Sequence, residues 1–334
     1  MQLSATQIRL HTKIKSELGK EVMRALEDDS VIEIMLNSDN TLWVERIGHG
    51  MEHIVNHNCS AQAFIHTVAS YHNTNITIDN PVLECELPLC GSRLEALVPP
   101  LVKYPSFTIR KKAKTIFTLD DYERQGILAQ CDKNYNRSEE YIPDNLTKKE
   151  IIKYAVEKRK NILVVGSTGS GKTTLTNAII DEIAKVNPDD RLIIIEDTAE
   201  LQCTSKNQII MRAKRENHNM DLLRLLMVTM RLRPDRILIG EVRDKAALEL
   251  LKSWNTGHPG GVATVHADSA RLGLLRIEQL ISEATTSPMQ TLIAEAINLV
   301  IFITKTDGGR IVPEIMEVRG YDPITQQYIT KIFK

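Results

Sequence analysis

The sequence predicts an α/β protein in two parts: an N-terminal α+β domain over 1–132 and, beyond a linker at 133–146, an α/β domain over 147–334 with an open parallel sheet. Three patterns point there. Gly166–Thr174 reads GSTGSGKTT, a glycine-rich phosphate loop set between an apolar strand and a helix. Three later apolar runs each end in a charged or titratable residue, as strands do when they present ligands at their carboxyl ends. The first half instead alternates short apolar runs with turn residues, which suits a sheet that is at least partly antiparallel. At 334 residues the chain can bury two such cores.

In the first half, Leu10, Ile14, Leu18, Val22 and Leu26 recur every four residues with Met23 on the same face, so a helix covers a sheet there. Val31–Leu36, the turn Asn37–Asn40 and Thr41–Val44 read as strand, turn, strand, and Ala61–His72 as a second helix. Cys90–Pro100 reads as a strand closed by two prolines, and Phe107–Lys112 as a strand ending in a basic cluster. Arg93 and Arg110 sit in these otherwise apolar or β-branched strands. From the residues alone, a solvated strand face is the simpler account of both.

The polar, aperiodic stretch around Asp132–Asn145 is the linker. Thr147-x-x-Glu150 is a capping box opening a helix that runs to Lys158. That helix feeds Asn161–Val165, the strand entering the phosphate loop, and Leu175–Ile180 lies in the helix leaving it. A loop so placed suits a nucleoside triphosphate. Gly166, Ser167, Thr168, Gly169, Ser170 and Gly171 can curl their N–H groups round the phosphates without Cβ clashes. The helix N-terminus, carrying Thr174 in its first turn, faces the anion with about half a positive charge. Lys172 is then the β- and γ-phosphate ligand, and the Thr173 hydroxyl a ligand of Mg2+.

The next strand, Arg191–Asp197, brings Glu196 and Asp197, with Glu200 just beyond, to the same end of the sheet. Arg236–Gly240 follows and ends in Glu241, the carboxylate that hydrolysis needs to polarise water or order a metal shell. Arg231 and Arg233 either neutralise phosphate or pair with Asp235 and Glu241; Arg243 is open in the same way. The loop Thr256–Gly261, with His258, leads into Val262–Ala267, whose His266 stands at a strand end suited to contact a γ-phosphate. Helices at 272–284 and 289–296 and a hairpin turning at Asp307-Gly308 complete the chain, the hairpin as a structural element.

Composition narrows the function. Net charge is −1 and aromatics are 4%, so neither a basic field nor stacking platforms favour nucleic acid, and direct binding to it is not expected. Five cysteines without a C-x-x-C pair suit free thiols in a reducing cytosol better than disulfides or zinc. The polar N-terminus lacks the apolar core of a secretory signal, and the apolar run 297–303 is too short to span a bilayer. A cytoplasmic protein is expected, with peripheral docking on a membrane complex allowed.

GSTGSGKTT, IIIEDTAEL, RLRPDRILIGEVRD and TGHPGGVATVHA, in that order, resemble the Walker A loop, acidic box, Walker B region and histidine box of the secretion-superfamily ATPases, which serve type IV secretion, type II secretion and pilus dynamics. ALEDDSVIEIMLNSDNTLWVER, GSRLEALVPP and FTIRKK are similar to the N-terminal domain of the TrbB-type conjugative ATPases, so the resemblance covers nearly the whole chain. It implies a sensor-like N-terminal domain, a RecA-like P-loop ATPase domain, a homohexameric ring and inner-membrane channel components as partners. The function implied is ATP hydrolysis powering conjugative DNA transfer or type IV secretion. It further implies Lys172 and Thr173 on phosphate and Mg2+, Glu241 as catalytic glutamate, Glu196 near metal and water, and His266 on the γ-phosphate. Arg93 and Arg110 become nucleotide-contacting arginines reaching across from the first domain. One departure stands out: the third strand ends in Glu241 where simpler P-loop enzymes have aspartate, which leaves the division of roles among Glu196, Asp197 and Glu241 open. The competing classes are a DNA motor acting on nucleic acid directly and a small-molecule kinase.

Overall fold

The computed structural model describes residues 4–113, 117–128 and 141–333. Its first helix, α1 (Ala5–Glu27), opens on a capping box between Ser4 and Gln7. The four-residue repeat predicted one unbroken helix, but Gly19 adopts φ +79° and interrupts it. A Cβ there would sit 2.1 Å from Asn58 Oδ1, which accepts the Lys20 N–H, so glycine is required where Asn58 enters the break. Strands β1 (Val31–Leu36) and β2 (Leu42–Arg46) match the expected hairpin, and α2 (Ala61–Tyr71) the expected second helix. Strands β5 (Arg93–Leu97) and β6 (Ser106–Arg110) are shorter than the sequence suggested, and β3 (Gly50–Ile54) and β4 (Val82–Glu86) were not anticipated.

The order β3-β2-β1-β6-β5-β4 is antiparallel throughout. Ile14, Leu18 and Val22 of α1 and Phe64, Ile65 and Val68 of α2 bury one face against Ile34, Leu36, Leu94, Phe107 and Ile109. Strand alternation then sends Glu33, Glu45, Glu84, Glu95 and Thr108 to the other face. A short helix, α3 (Leu119–Arg124), follows.

The second sheet begins after α4 (Lys148–Glu157), capped by Thr147 and Glu150 as expected. Along the chain come β7 (Ile162–Val165), α5 (Lys172–Val186), β8 (Leu192–Glu196), β9 (Gln208–Arg212), α6 (Leu222–Thr229), β10 (Arg236–Ile239), α7 (Ala246–Asn255), β11 (Val262–Val265), α8 (Ala270–Ser282) and α9 (Gln290–Ala296). Three strands close it: β12 (Leu299–Thr306), β13 (Gly309–Asp322) and β14 (Gln327–Phe333). The order is β14-β13-β12-β7-β11-β10-β8-β9, with β12 to β9 parallel and β13 and β14 antiparallel. Apolar cores lie on both faces, as a parallel sheet needs. The anticipated hairpin is present with its two-residue Asp307-Gly308 turn, but β12 also pairs with β7 and so belongs to the central sheet. Of the expected linker, 133–140 lie outside the described residues. Ile142, by contrast, is buried on the second sheet and donates its N–H to Glu317 Oε1 at 2.8 Å.

The polar face of the first sheet docks on the second unit. Arg191, fully buried at the start of β8, donates to Asn37 Oδ1 and to Asn207 Oδ1, each at 2.6 Å, and to the Leu232 carbonyl at 2.8 Å. Burial pushes its guanidinium down to about 9, still above neutrality, with Arg233 adding to the effect and Asp235 opposing it. Arg224 and Arg231 reach Glu84 at 2.8 and 2.6 Å, and Arg233 reaches Glu45 at 2.5 Å. Val82, Leu97, Leu101 and Val102 of the first unit enter the second unit's apolar core.

Candidate active site

The phosphate loop leaves β7 at the carboxyl end of the parallel strands, where Gly171, at φ +100°, turns the chain into α5. A side chain at Gly171 would be strained and would meet Arg310 Cδ at 2.8 Å. α5 starts with no side-chain cap, so its first N–H groups point free into the loop. Thr168, Gly169, Lys172 and Thr173 line a cavity of about 270 Å³ together with Glu196, Asp197, Glu200, Gly240, Glu241, Arg243, Thr264 and His266. The loop and the ends of β8, β10 and β11 thus converge on one space. Gly166, Ser167, Ser170 and Gly171 shape the loop behind it, and Thr174 is exposed on α5.

Lys172, only 8% exposed, folds back on its own loop. Its ammonium donates to the carbonyls of Gly166 and Ser167 at 2.8 and 3.0 Å and lies 3.2 Å from His266 Nδ1. Burial pushes its pKa below the ordinary lysine value, with Glu241 opposing the shift. An ammonium only donates, so Nδ1 of His266 accepts, and a neutral ring carries its proton on Nε2. That nitrogen lies 3.2 Å from Glu241 Oε1. Glu241 is held on its other oxygen by Arg243, which also lies 3.6 Å from Asp197. The hydrogen bond that Arg243 donates to Glu241 raises the Arg243 pKa above the ordinary arginine value.

The acidic box divides its labour in a way the sequence did not reveal. Glu196, 4% exposed, spends both oxygens inside the protein: Oε2 accepts the N–H groups of Glu200 and Leu201 at 2.9 and 2.8 Å, and Oε1 accepts from Arg212. The carboxylate beside Thr173 is Glu200, whose Oε2 accepts the Thr173 hydroxyl at 3.0 Å. Asn177 of α5 fixes this loop, donating to the Glu200 carbonyl at 3.1 Å and accepting the Gln202 N–H at 2.9 Å. Gly240 lets β10 close on β8, since a Cβ there would sit 2.9 Å from Glu196 Cβ.

Arg93 and Arg110 are not brought to this cavity. They line a second one of about 690 Å³ with Glu84, Glu86, Lys112 and Arg231, and Arg110 lies 3.4 Å from Glu33. Arg231 precedes β10, at the amino ends of the parallel strands, so this basic pocket faces away from the phosphate loop of its own chain. Arg233 pairs with Asp235, as one reading allowed, and with Glu45, while Arg231 pairs with the first unit; neither reaches Glu241. His258 stays at the amino ends of the strands, its Nδ1 donating to the Pro234 carbonyl at 2.9 Å, and burial lowers its pKa.

A lysine-bearing phosphate loop facing a strand-end glutamate and histidine on a parallel sheet is the chemistry of a P-loop ATPase, here on a RecA-like domain. More narrowly, the chain belongs to the type II/IV secretion system protein family, whose model matches residues 133–307. It is 44% identical over 314 residues to the probable conjugal transfer protein TrbB of Sinorhizobium fredii, spanning 94% of this chain and 91% of that one. It is 43% identical over 321 residues to the conjugal transfer protein TrbB of Rhizobium radiobacter, spanning 95% and 94%. Among solved structures, the VirB11 ATPase of the Brucella suis type IV secretion system superposes with a TM-score of 0.81 at 26% identity, over 97% of this chain and 98% of that one. The resemblance to secretion ATPases read from the four boxes, and to the TrbB type read from the N-terminal stretches, is borne out.

Proposed function

We propose that the protein is the ring-forming ATPase of a conjugation or type IV secretion machine, hydrolysing ATP to ADP and phosphate to drive motion of its N-terminal domain. One observation supports this above others: Lys172, Thr173, Glu241 and His266 share one cavity with the free N-terminus of α5. Lys172 and the loop N–H groups bind the phosphates, and Glu241 takes the proton of the attacking water. His266, hydrogen-bonded to Glu241, orients that carboxylate and reads the γ-phosphate. The names of the TrbB relatives support conjugal transfer as the process served.

The donor set also suits Mg2+. No cluster of three metal-ligating side chains occurs among the described residues. Magnesium, however, is commonly held by one or two protein oxygens plus substrate phosphates. Thr173 and Glu200 offer such a hydroxyl and carboxylate side by side, with Asp197 and Glu241 nearby, whereas Glu196 is already committed. When bound, the ion would neutralise charge on the phosphate oxygens.

Because Arg93 and Arg110 face away from their own phosphate loop, their nucleotide contact is to a neighbouring copy in a homohexamer. The ring works at the cytoplasmic face of the inner membrane against channel components. This fits a chain in which no described helix is long and apolar enough to cross a membrane. The test is the mass in solution by light scattering, with and without a non-hydrolysable ATP analogue, together with phosphate release in the absence of any acceptor. A sixfold mass and acceptor-free release are expected. A monomer under both conditions at high concentration would overturn the ring.

A further inference from the structure

We infer that Arg212 is a positioning residue for the metal side of the active site, acting through Glu196 on Glu200. The inference rests on the ATPase reading above. Glu196 and Arg212 are register partners across the parallel pair β8–β9, and their side chains meet in a salt bridge whose carboxylate is 2% exposed and whose guanidinium is 34% exposed. A carboxylate so buried needs a compensating charge and hydrogen bonds. Arg212 supplies the charge at Oε1, which leaves Oε2 aimed at the N–H groups of Glu200 and Leu201. Those two bonds pin the backbone from which Glu200 extends to the Thr173 hydroxyl. Without Arg212 the Glu196 carboxylate either turns toward water or takes up a proton, and in both cases the two N–H groups lose a charged acceptor. Asn177 still holds the Glu200 carbonyl, so the loop remains folded while its side chain loses its aim.

Arg212 has a second tie. Its backbone N–H donates to the Leu101 carbonyl of the N-terminal unit at 2.8 Å. The residue that sets the acidic loop is therefore also the one on which the first unit rests, so displacement of that unit is felt at Thr173 through a run of four residues.

The experiment measures affinity for a fluorescent ATP analogue with Mg2+ and with EDTA, in the wild type, Arg212→Met and Arg212→Lys, with circular dichroism as the check on folding. Arg212→Met is expected to keep its affinity in EDTA within about twofold, since the phosphate loop does not use Arg212, and to lose about tenfold of the gain that Mg2+ confers. Arg212→Lys is expected to restore most of that gain, which a merely structural loss would not allow. A wild-type Mg2+ gain in folded Arg212→Met overturns the inference. If Arg212→Met fails to fold, Glu196→Gln decides the matter, since it keeps shape and removes the charge: loss of the gain supports the inference, and its retention overturns it. A wild type that binds no nucleotide under either condition would overturn the ATPase reading and this inference together.

Discussion

The Lys172 ammonium lies 3.2 Å from Nδ1 of His266, and with the carbonyls of Gly166 and Ser167 this occupies all three of its donors. Phosphate oxygens can reach the lysine only by displacing these partners. Nucleotide binding therefore frees His266 on one side while Glu241 still holds it on the other. His266→Ala is expected to bind ATP about as tightly as the wild type, because release of Lys172 offsets the lost γ-phosphate contact, and to turn over more slowly, because Glu241 loses its orienting partner. Steady-state kinetics would show kcat falling while KM does not rise. A raised KM with unchanged kcat would contradict this assignment.

In the proposed mechanism Glu241 is the base, and Glu241→Gln would remove it while keeping the shape. ATP binding should persist and kcat should fall by about 100-fold or more. Turnover at the wild-type rate would remove Glu241 from its catalytic role.

Arg110 is 68% exposed and extends from the end of β6, so Arg110→Ala should leave the melting temperature close to that of the wild type while cutting hydrolysis. Because the basic pocket faces away from its own loop, two inactive variants should complement each other. Mixing Lys172→Ala copies with Arg110→Ala copies is expected to give more hydrolysis than the sum of the two alone. No recovery in rings shown to be mixed would mean that each copy's arginines serve its own nucleotide or none.

Glu95, buried against the second unit, has its carboxyl pushed up to about 9 by burial, with Glu84 adding to the effect and Arg231 opposing it. The folded state keeps a proton that the unfolded chain releases near pH 4.5, so the contribution of Glu95 to stability is greatest at low pH and falls as pH rises through that window toward 9. Glutamine does not titrate. Glu95→Gln should therefore melt about 2 °C or more above the wild type at pH 8 and alongside it at pH 4.5. A constant difference across that range would mean the carboxyl is not the cause.

Asn37→Ala should be costly despite its place in a turn. It strips the fully buried Arg191 of an acceptor and Asn207 of a donor, a loss of about 2–4 kcal/mol. Denaturant unfolding would detect it, and a change below about 0.5 kcal/mol would show that water replaces the asparagine.

The phosphate loop, the strand-end acids and His266 were legible because each sits at the end of an unbroken apolar run, and the pattern fixes both the strand and its polar tip. Glu200 was harder to weigh against Glu196, since three acids within five residues carry no sign of which one turns inward. Only the N–H groups of Glu200 and Leu201, closing on Glu196, decide it. The apolar run VIEIML before a turn marked β1, whereas β3 carries too few apolar residues and β9 too short a run to announce themselves. Arg191 read as the polar start of a strand. Nothing local reveals that it is fully buried, because its partners Asn37 and Asn207 lie 154 and 16 residues away. For Arg93 and Arg110 the residues alone favoured a solvated strand face and only the family resemblance pointed to a nucleotide contact; which way their pocket faces depends on how the two units dock.

That docking has a consequence for how the protein comes apart. Leu101 and Val102 lie in the second unit's core, and Arg191 depends on a turn of the first. Neither half can melt while the other stays intact without stranding a cation and baring apolar surface. Calorimetry should therefore record a single endotherm rather than two, and a fragment beginning at Thr147 should be prone to precipitation.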